Sequence, residues 1–194
     1  MRHLRCAVDE ALAIERLQHG GRRGFSRWLW QRFFPSPTPV KVELLWFPAY
    51  LVTIALERSA GPDRAVCSIE GFSGSFAIFE MSAAVMDGES PGETFPPVIT
   101  GEAAEALARD GLVTTLLRRS GQARRARPAA TLSVELLRWP YWVYYHRRRR
   151  GGMDIQLLDA ATGSRPGHKI KLGLLNAFRN QSRSRQGPAR GDTQ

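Results

Sequence analysis

Apolar positions recur along this chain with two alternating periods, and their order lays out the elements. From Asp9 to Gln18, Ala11, Leu12, Ile14 and Leu17 follow helical spacing, with Asp9 as N-cap and Gly20-Gly21 as the stop. Gly24 to Phe34 reads as a second short helix dense in aromatics, closed by the stiff connector Pro35 to Pro39. Lys41 to Arg58 then switches to strand character, with Tyr50, Val52, Ile54 and Leu56 on one face. Gly61-Pro62-Asp63 predicts a turn, Arg64 to Glu70 a returning strand, and Ser75 to Met81 a third. Gly and Pro crowd residues 87 to 97, which predicts a linker.

The same order returns beyond it. Thr100 caps a predicted helix running to Leu116, with Ala103, Ala106, Leu107, Val113 and Leu116 as its apolar positions. A basic loop (residues 121 to 128), an extended Leu132 to Arg147, a turn at Arg149 to Gly152 and a strand at Asp154 to Asp159 follow. Ile170, Leu174 and Phe178 predict a closing helix, and from Gln181 the composition is that of a disordered tail.

The repetition is literal in two places. Val42-Glu43-Leu44-Leu45-Trp46-Phe47-Pro48 returns ninety-two positions later as Val134-Glu135-Leu136-Leu137-Arg138-Trp139-Pro140. Ile69-Glu70-Gly71-Phe72-Ser73-Gly74 matches Leu158-Asp159-Ala160-Ala161-Thr162-Gly163 at an offset of 89. Conserved order with a small shortening points to an internal duplication. The expected fold is therefore α+β: two tandem helix-plus-β-hairpin units forming antiparallel sheet covered by helices on one face. The expected boundaries are a first unit at 1–86, a linker at 87–99, a second unit at 100–180 and a basic tail at 181–194.

The hairpin ending Leu157-Leu158-Asp159-Ala160-Ala161-Thr162-Gly163 resembles the PepSY family, whose repeats close on a similar valine-aspartate-alanine-x-threonine-glycine turn. Leu158, Asp159, Ala160, Thr162 and Gly163 stand at the motif positions, and Ile69 to Gly74 is a degraded copy. The resemblance implies a contact-making role, since such modules restrain peptidases or mediate contacts, usually outside the cytoplasm. The aromatic run Trp139 to Tyr145 departs from the usual family strand.

Composition narrows the function classes. Two cysteines, Cys6 and Cys67, make no disulfide framework and no metal spacing, and no apolar leader follows Met1, so a reduced, cytoplasmic setting is expected. The longest uncharged stretch, Leu44 to Leu56, is 13 residues, short of the roughly 20 that a spanning helix needs. The net charge of +10 comes from 28 basic residues, all but Lys41, Lys169 and Lys171 being Arg. It favours an anionic partner, a nucleic acid or a membrane surface, although an Arg bias beside plentiful Ala, Gly and Pro also follows from GC-rich coding.

The candidate binding residues are Trp142, Tyr144, His146, Arg147, Arg148, Arg149 and Arg150, where rings beside clustered guanidiniums suit single-stranded nucleic acid or a protein contact. A solvated hairpin tip whose charges deter edge pairing explains the same residues structurally. Arg22 to Phe34 interleaves bases and aromatics in a way that suits an anionic membrane interface, or packing on its own sheet. Catalysis finds no purchase: His3, His19, His146 and His168 form no pairing motif, Cys67 reads as a buried hydrophobe, and Glu70 and Asp159 read as turn caps. The expectation is a non-enzymatic interaction module with a protein or peptide partner, no cofactor and no metal. Nucleic-acid binding through the second hairpin is the alternative, and a small hydrolase a distant third.

Overall fold

A computed structural model describes residues 2–19, 39–58, 61–80, 84–118, 126–148 and 151–185. The predicted helix at 24–34, most of the Pro-rich connector and the basic loop, Arg149 and Arg150, and the end of the tail lie outside the described residues. The fold is α+β. Its elements are β1 (Arg2–Leu4), α1 (Glu10–His19), β2 (Pro39–Arg58), β3 (Gly61–Glu70), β4 (Phe76–Ile78) and β5 (Val85–Asp87). These are followed by α2 (Gly101–Arg118), β6 (Arg127–Arg147), β7 (Met153–Asp159) and α3 (His168–Arg185).

Among the described residues, one seven-stranded sheet runs β4-β3-β2-β6-β1-β5, with β7 also on β6. Its seam is the antiparallel pair of the two long strands, from Lys41↔Tyr145 to Glu57↔Arg127. β3 folds back on β2 (Ala49↔Glu70 to Arg58↔Gly61) and β7 on β6 (Tyr141↔Asp159 to Arg147↔Met153). β1 joins β6 in parallel at Leu137 and Arg138, a departure from the all-antiparallel expectation that a three-residue strand with distant partners conceals in sequence.

Each long strand carries a proline at mid-length, where a central strand ordinarily excludes it. The register explains both. The Pro48 carbonyl accepts from Gly71 N (2.8 Å) and the Pro140 carbonyl from Ala160 N (2.9 Å), so both prolines turn their hydrogen-bonding side away from the seam. In an antiparallel ladder a residue presents its N–H and C=O to the same side, so neither missing N–H breaks a β2–β6 bond.

Away from the register shifts near Pro39 and Ile54, residues of even number on β2 and β6 face one side of the sheet and odd-numbered ones the other. On the even side α2 lays Ala104, Ala108, Leu112 and Leu116 over Tyr50, Val52, Ile54, Cys67 and Ile69. α1 lays Ala13 and Leu17 over Tyr144 and Leu158. Each helix thus covers the hairpin that it does not precede. The predicted caps are in place: Asp9 Oδ1 accepts from Leu12 N (2.8 Å) and Thr100 Oγ1 from Ala103 N (3.2 Å).

The expectation of helices on one face is corrected by α3. Leu174, with Ile170 and Phe178, packs on the odd side against Phe47, Tyr141, Val143, Ile155 and Leu157. Those odd positions are as apolar as the even ones, so both faces of the sheet need covering.

Candidate functional site

Of the residues marked by the sequence, Tyr144 and His146 lie in the interior and Trp142 is half-buried. Tyr144 is 1% exposed under α1, and Trp142 donates its indole N–H to the Val8 carbonyl (2.8 Å). His146 is buried, with Nδ1 unpartnered among the described residues and its ring 6.0 Å from Tyr144. Arg147 and Arg148 are exposed at the hairpin tip, where Arg148 reaches Asp154 (3.1 Å). The second hairpin therefore turns Tyr144 and His146 inward and leaves Arg147 and Arg148 exposed at its tip. Neighbouring Tyr145 is also occupied: its hydroxyl bonds Glu43 (2.5 Å), and burial and then that bond push its pKa up.

Glu70 and Asp159 close their hairpins with matching turns. Glu70 Oε1 accepts from Phe72 N (2.9 Å), and its Oε2 accepts from Ser73 N (2.7 Å) and the Ser73 hydroxyl (2.6 Å). Asp159 Oδ1 accepts from both Ala161 N (2.8 Å) and Thr162 N (3.0 Å). Gly74 and Gly163 end these turns at φ 69° and 70°, the left-handed region where a side chain is strained. Both carboxylates are buried, and among the described residues neither forms an ion pair with a cationic side chain. Their field reaches Tyr141 between them: burial first, then Asp159 and Glu70, hold its hydroxyl pKa well above the ordinary range.

Beside Glu70, on the odd face, lies a cup of about 260 Å³. Its floor is the strand residues Ala49, Ser68 and Ala77, its walls include Phe47, Trp139, Tyr141 and Ile170, and Glu70 and Ser75 complete the lining. Tyr141 stacks on Phe47 at 4.6 Å. Ala77 is exposed, so the cup opens to solvent over β4. The Trp139 indole N–H is buried without a partner among the described residues.

The cup exists because the two hairpins differ in side-chain size at matching register positions. Ala49 faces Glu70 on β2–β3 where Tyr141 faces Asp159 on β6–β7. Ser68 opposite Leu51 likewise corresponds to Leu157 opposite Val143. The second hairpin fills its surface with a ring and an isobutyl group, whereas the first leaves a hollow. The sequence carried this signal in the aligned repeats, but small residues on a predicted strand draw no attention until the register shows that they share a floor.

A larger concavity of about 520 Å³ lies further along the odd face, lined by Arg2, Arg64, Asp87 and Glu135 among others. Its charges are partly spent on one another, Arg2 bonding Asp87 (3.2 Å) and Glu135 (2.6 Å). On the even side Arg138 is buried, gives a short hydrogen bond to the Phe95 carbonyl, and has its pKa lowered by burial. Among the described residues no cluster of His, Cys, Asp and Glu is arranged to hold a metal ion, and no helix is long and apolar enough to cross a membrane. No protein-family model matches the chain, and comparison with curated proteins and with solved structures finds no match.

Proposed function

We propose that the chain is a non-catalytic binding module, built from a duplicated PepSY-like unit, whose ligand seat is the cup on the first hairpin. The observation that carries the reading is the selective hollowing of one hairpin, Ala49 and Ser68 standing where the other has Tyr141 and Leu157. A concave, largely apolar pocket with few polar groups is the ordinary form of a small-ligand site, and this one sits just below the usual range of about 300–1,000 Å³.

The duplication is supported by bonds that repeat between the halves. Phe47 pairs across the seam with Trp139, its own counterpart in the repeat. Val98 N and Ile99 N bond the Gly71 carbonyl (2.9 and 3.2 Å), as Ala7 N and Val8 N bond the Ala160 carbonyl (2.8 and 3.0 Å). Binding rather than turnover is supported by what holds the polar groups. Glu70 is tied into its turn by three hydrogen bonds, and the Ser75 hydroxyl bonds that of Ser73 at 2.8 Å.

Amide NMR shifts under a mixture of small neutral, cationic and anionic fragments test the reading. Shifts should cluster at Ala49, Ser68 and Ala77 and vanish in Ser68→Leu. A mixture that moves none of these amides defeats it. Nucleic-acid binding through exposed Arg147 and Arg148 is the competing reading; its affinity would fall log-linearly with salt and vanish in Arg147→Ser/Arg148→Ser.

A further inference from the structure

We infer that the cup takes a compact organic cation, an amine or quaternary ammonium, with its charge beside Glu70 and its alkyl body on Ala49, Ser68 and Phe47. This deepens the binding reading above and rests on it. In a chain of net charge +10, none of the described lining residues is Lys or Arg, and the one ionisable carboxylate among them is Glu70. That carboxylate is 9% exposed, and its hydrogen bonds come from its own turn. Among the described residues Oε1 accepts only the Phe72 amide, so a carboxylate oxygen with two lone pairs keeps room for one more donor.

A buried carboxylate held by two backbone amides and a hydroxyl, with no cationic side chain among the described residues to neutralise it, would find its counter-charge in a ligand cation. The walls act in the same direction. Trp139, Tyr141 and Phe47 present π-systems whose negative faces attract ammonium groups, most strongly where water is excluded. An anion would meet the Glu70 carboxylate, and a neutral apolar ligand would leave that carboxylate's charge unmatched. Scaling from a cavity of about 150 Å³ that admits benzene, the cup suits on the order of ten non-hydrogen atoms.

Isothermal titration of the full chain with choline and with its uncharged isostere 3,3-dimethylbutan-1-ol tests the charge. Choline should bind at least tenfold more tightly than the isostere. Ser68→Leu and Ala49→Val, each checked for an unchanged circular dichroism spectrum, should abolish choline binding by filling the floor. A peptide bearing trimethyllysine distinguishes an ammonium on a partner from a free one: it binds through the same floor if Ser68→Leu removes it. Equal affinity for choline and the isostere overturns the cation assignment while leaving a binding cup in place. Failure of choline, tetramethylammonium and the peptide together, with fragments still shifting Ala49 and Ser68, does the same. Choline binding that survives both filling variants overturns the location.

Discussion

Asp159→Asn and Glu70→Gln remove the same charge from equivalent turns, yet the geometry predicts very different costs. Asp159 uses one oxygen, Oδ1, for both turn amides, so an Asn side chain can point its carbonyl there and keep both bonds. What is lost is charge assistance, since bonds to an ionised acceptor contribute about 1.5–3 kcal/mol against about 1 for neutral pairs. Relief of carboxylate desolvation offsets part of this, leaving a cost of about 1 kcal/mol. Glu70 divides its donors, Phe72 N on Oε1 and Ser73 N on Oε2. A Gln side chain has one acceptor oxygen, so one of these N–H groups must face an NH₂. The Ser73 hydroxyl can reverse its bond, but a backbone amide cannot. An unsatisfied buried donor adds about 1–3 kcal/mol, bringing Glu70→Gln to about 3 kcal/mol. Urea unfolding followed by tryptophan fluorescence and circular dichroism resolves a difference of about 2 kcal/mol through the midpoint, with slopes expected to match. Costs equal within about 0.5 kcal/mol, or a costlier Asp159→Asn, would falsify the reasoning.

Three further outcomes follow from packing and ionisation. A methyl at Gly111 in α2 would overlap the Phe76 ring, so Gly111→Ala should lose about 1–3 kcal/mol in thermal denaturation although helix propensity alone would gain about 1. Burial pushes the Cys67 thiol up to about 11, so in a Cys6→Ser background a thiol reagent at pH 8 should react only as fast as the protein opens. Burial raises the Asp154 carboxyl, but bonds from Lys171, the Ile155 amide and Arg148 more than reverse that and hold it at about 2, below its ordinary 3.8. Its stabilisation is therefore present above about pH 4 and lost as the pH falls toward about 2, so Lys171→Met should flatten the acid-unfolding curve in that window. The same variant should cost about 0.5–1 kcal/mol at pH 7.

Strands β2, β3, β4, β6 and β7, the hairpin positions and both helix caps could be read from the chain because they depend on local signals: period-two alternation, turn glycines, and Asp9 and Thr100 ahead of apolar runs. Other features depend on partners distant in sequence. Arg2–Leu4 is a strand only because Leu137 and Arg138 lie beside it. Pro48 inside a twenty-residue strand looks like a break until Gly71 takes its carbonyl. The aromatics of the second hairpin drew the binding assignment by composition, but composition is blind to side, and Tyr144 proved to be core. The cup was hidden for the opposite reason, being made of small residues whose neighbours are set by register.

The β2–β6 seam also has a kinetic consequence. The β2–β3 turn brings its strands together across residues 58 to 61, whereas β2 meets β6 only through partners as far apart as Pro39 and His146. Local hairpins should form early and the centre of the sheet late, since closing so long a span costs entropy before any contact repays it. Until β6 arrives, β2 presents an open edge rich in Val, Leu, Trp and Tyr, the kind of edge that recruits other chains. A polypeptide cut between the halves should therefore aggregate, or trade strands with a second copy, rather than behave as a small stable domain.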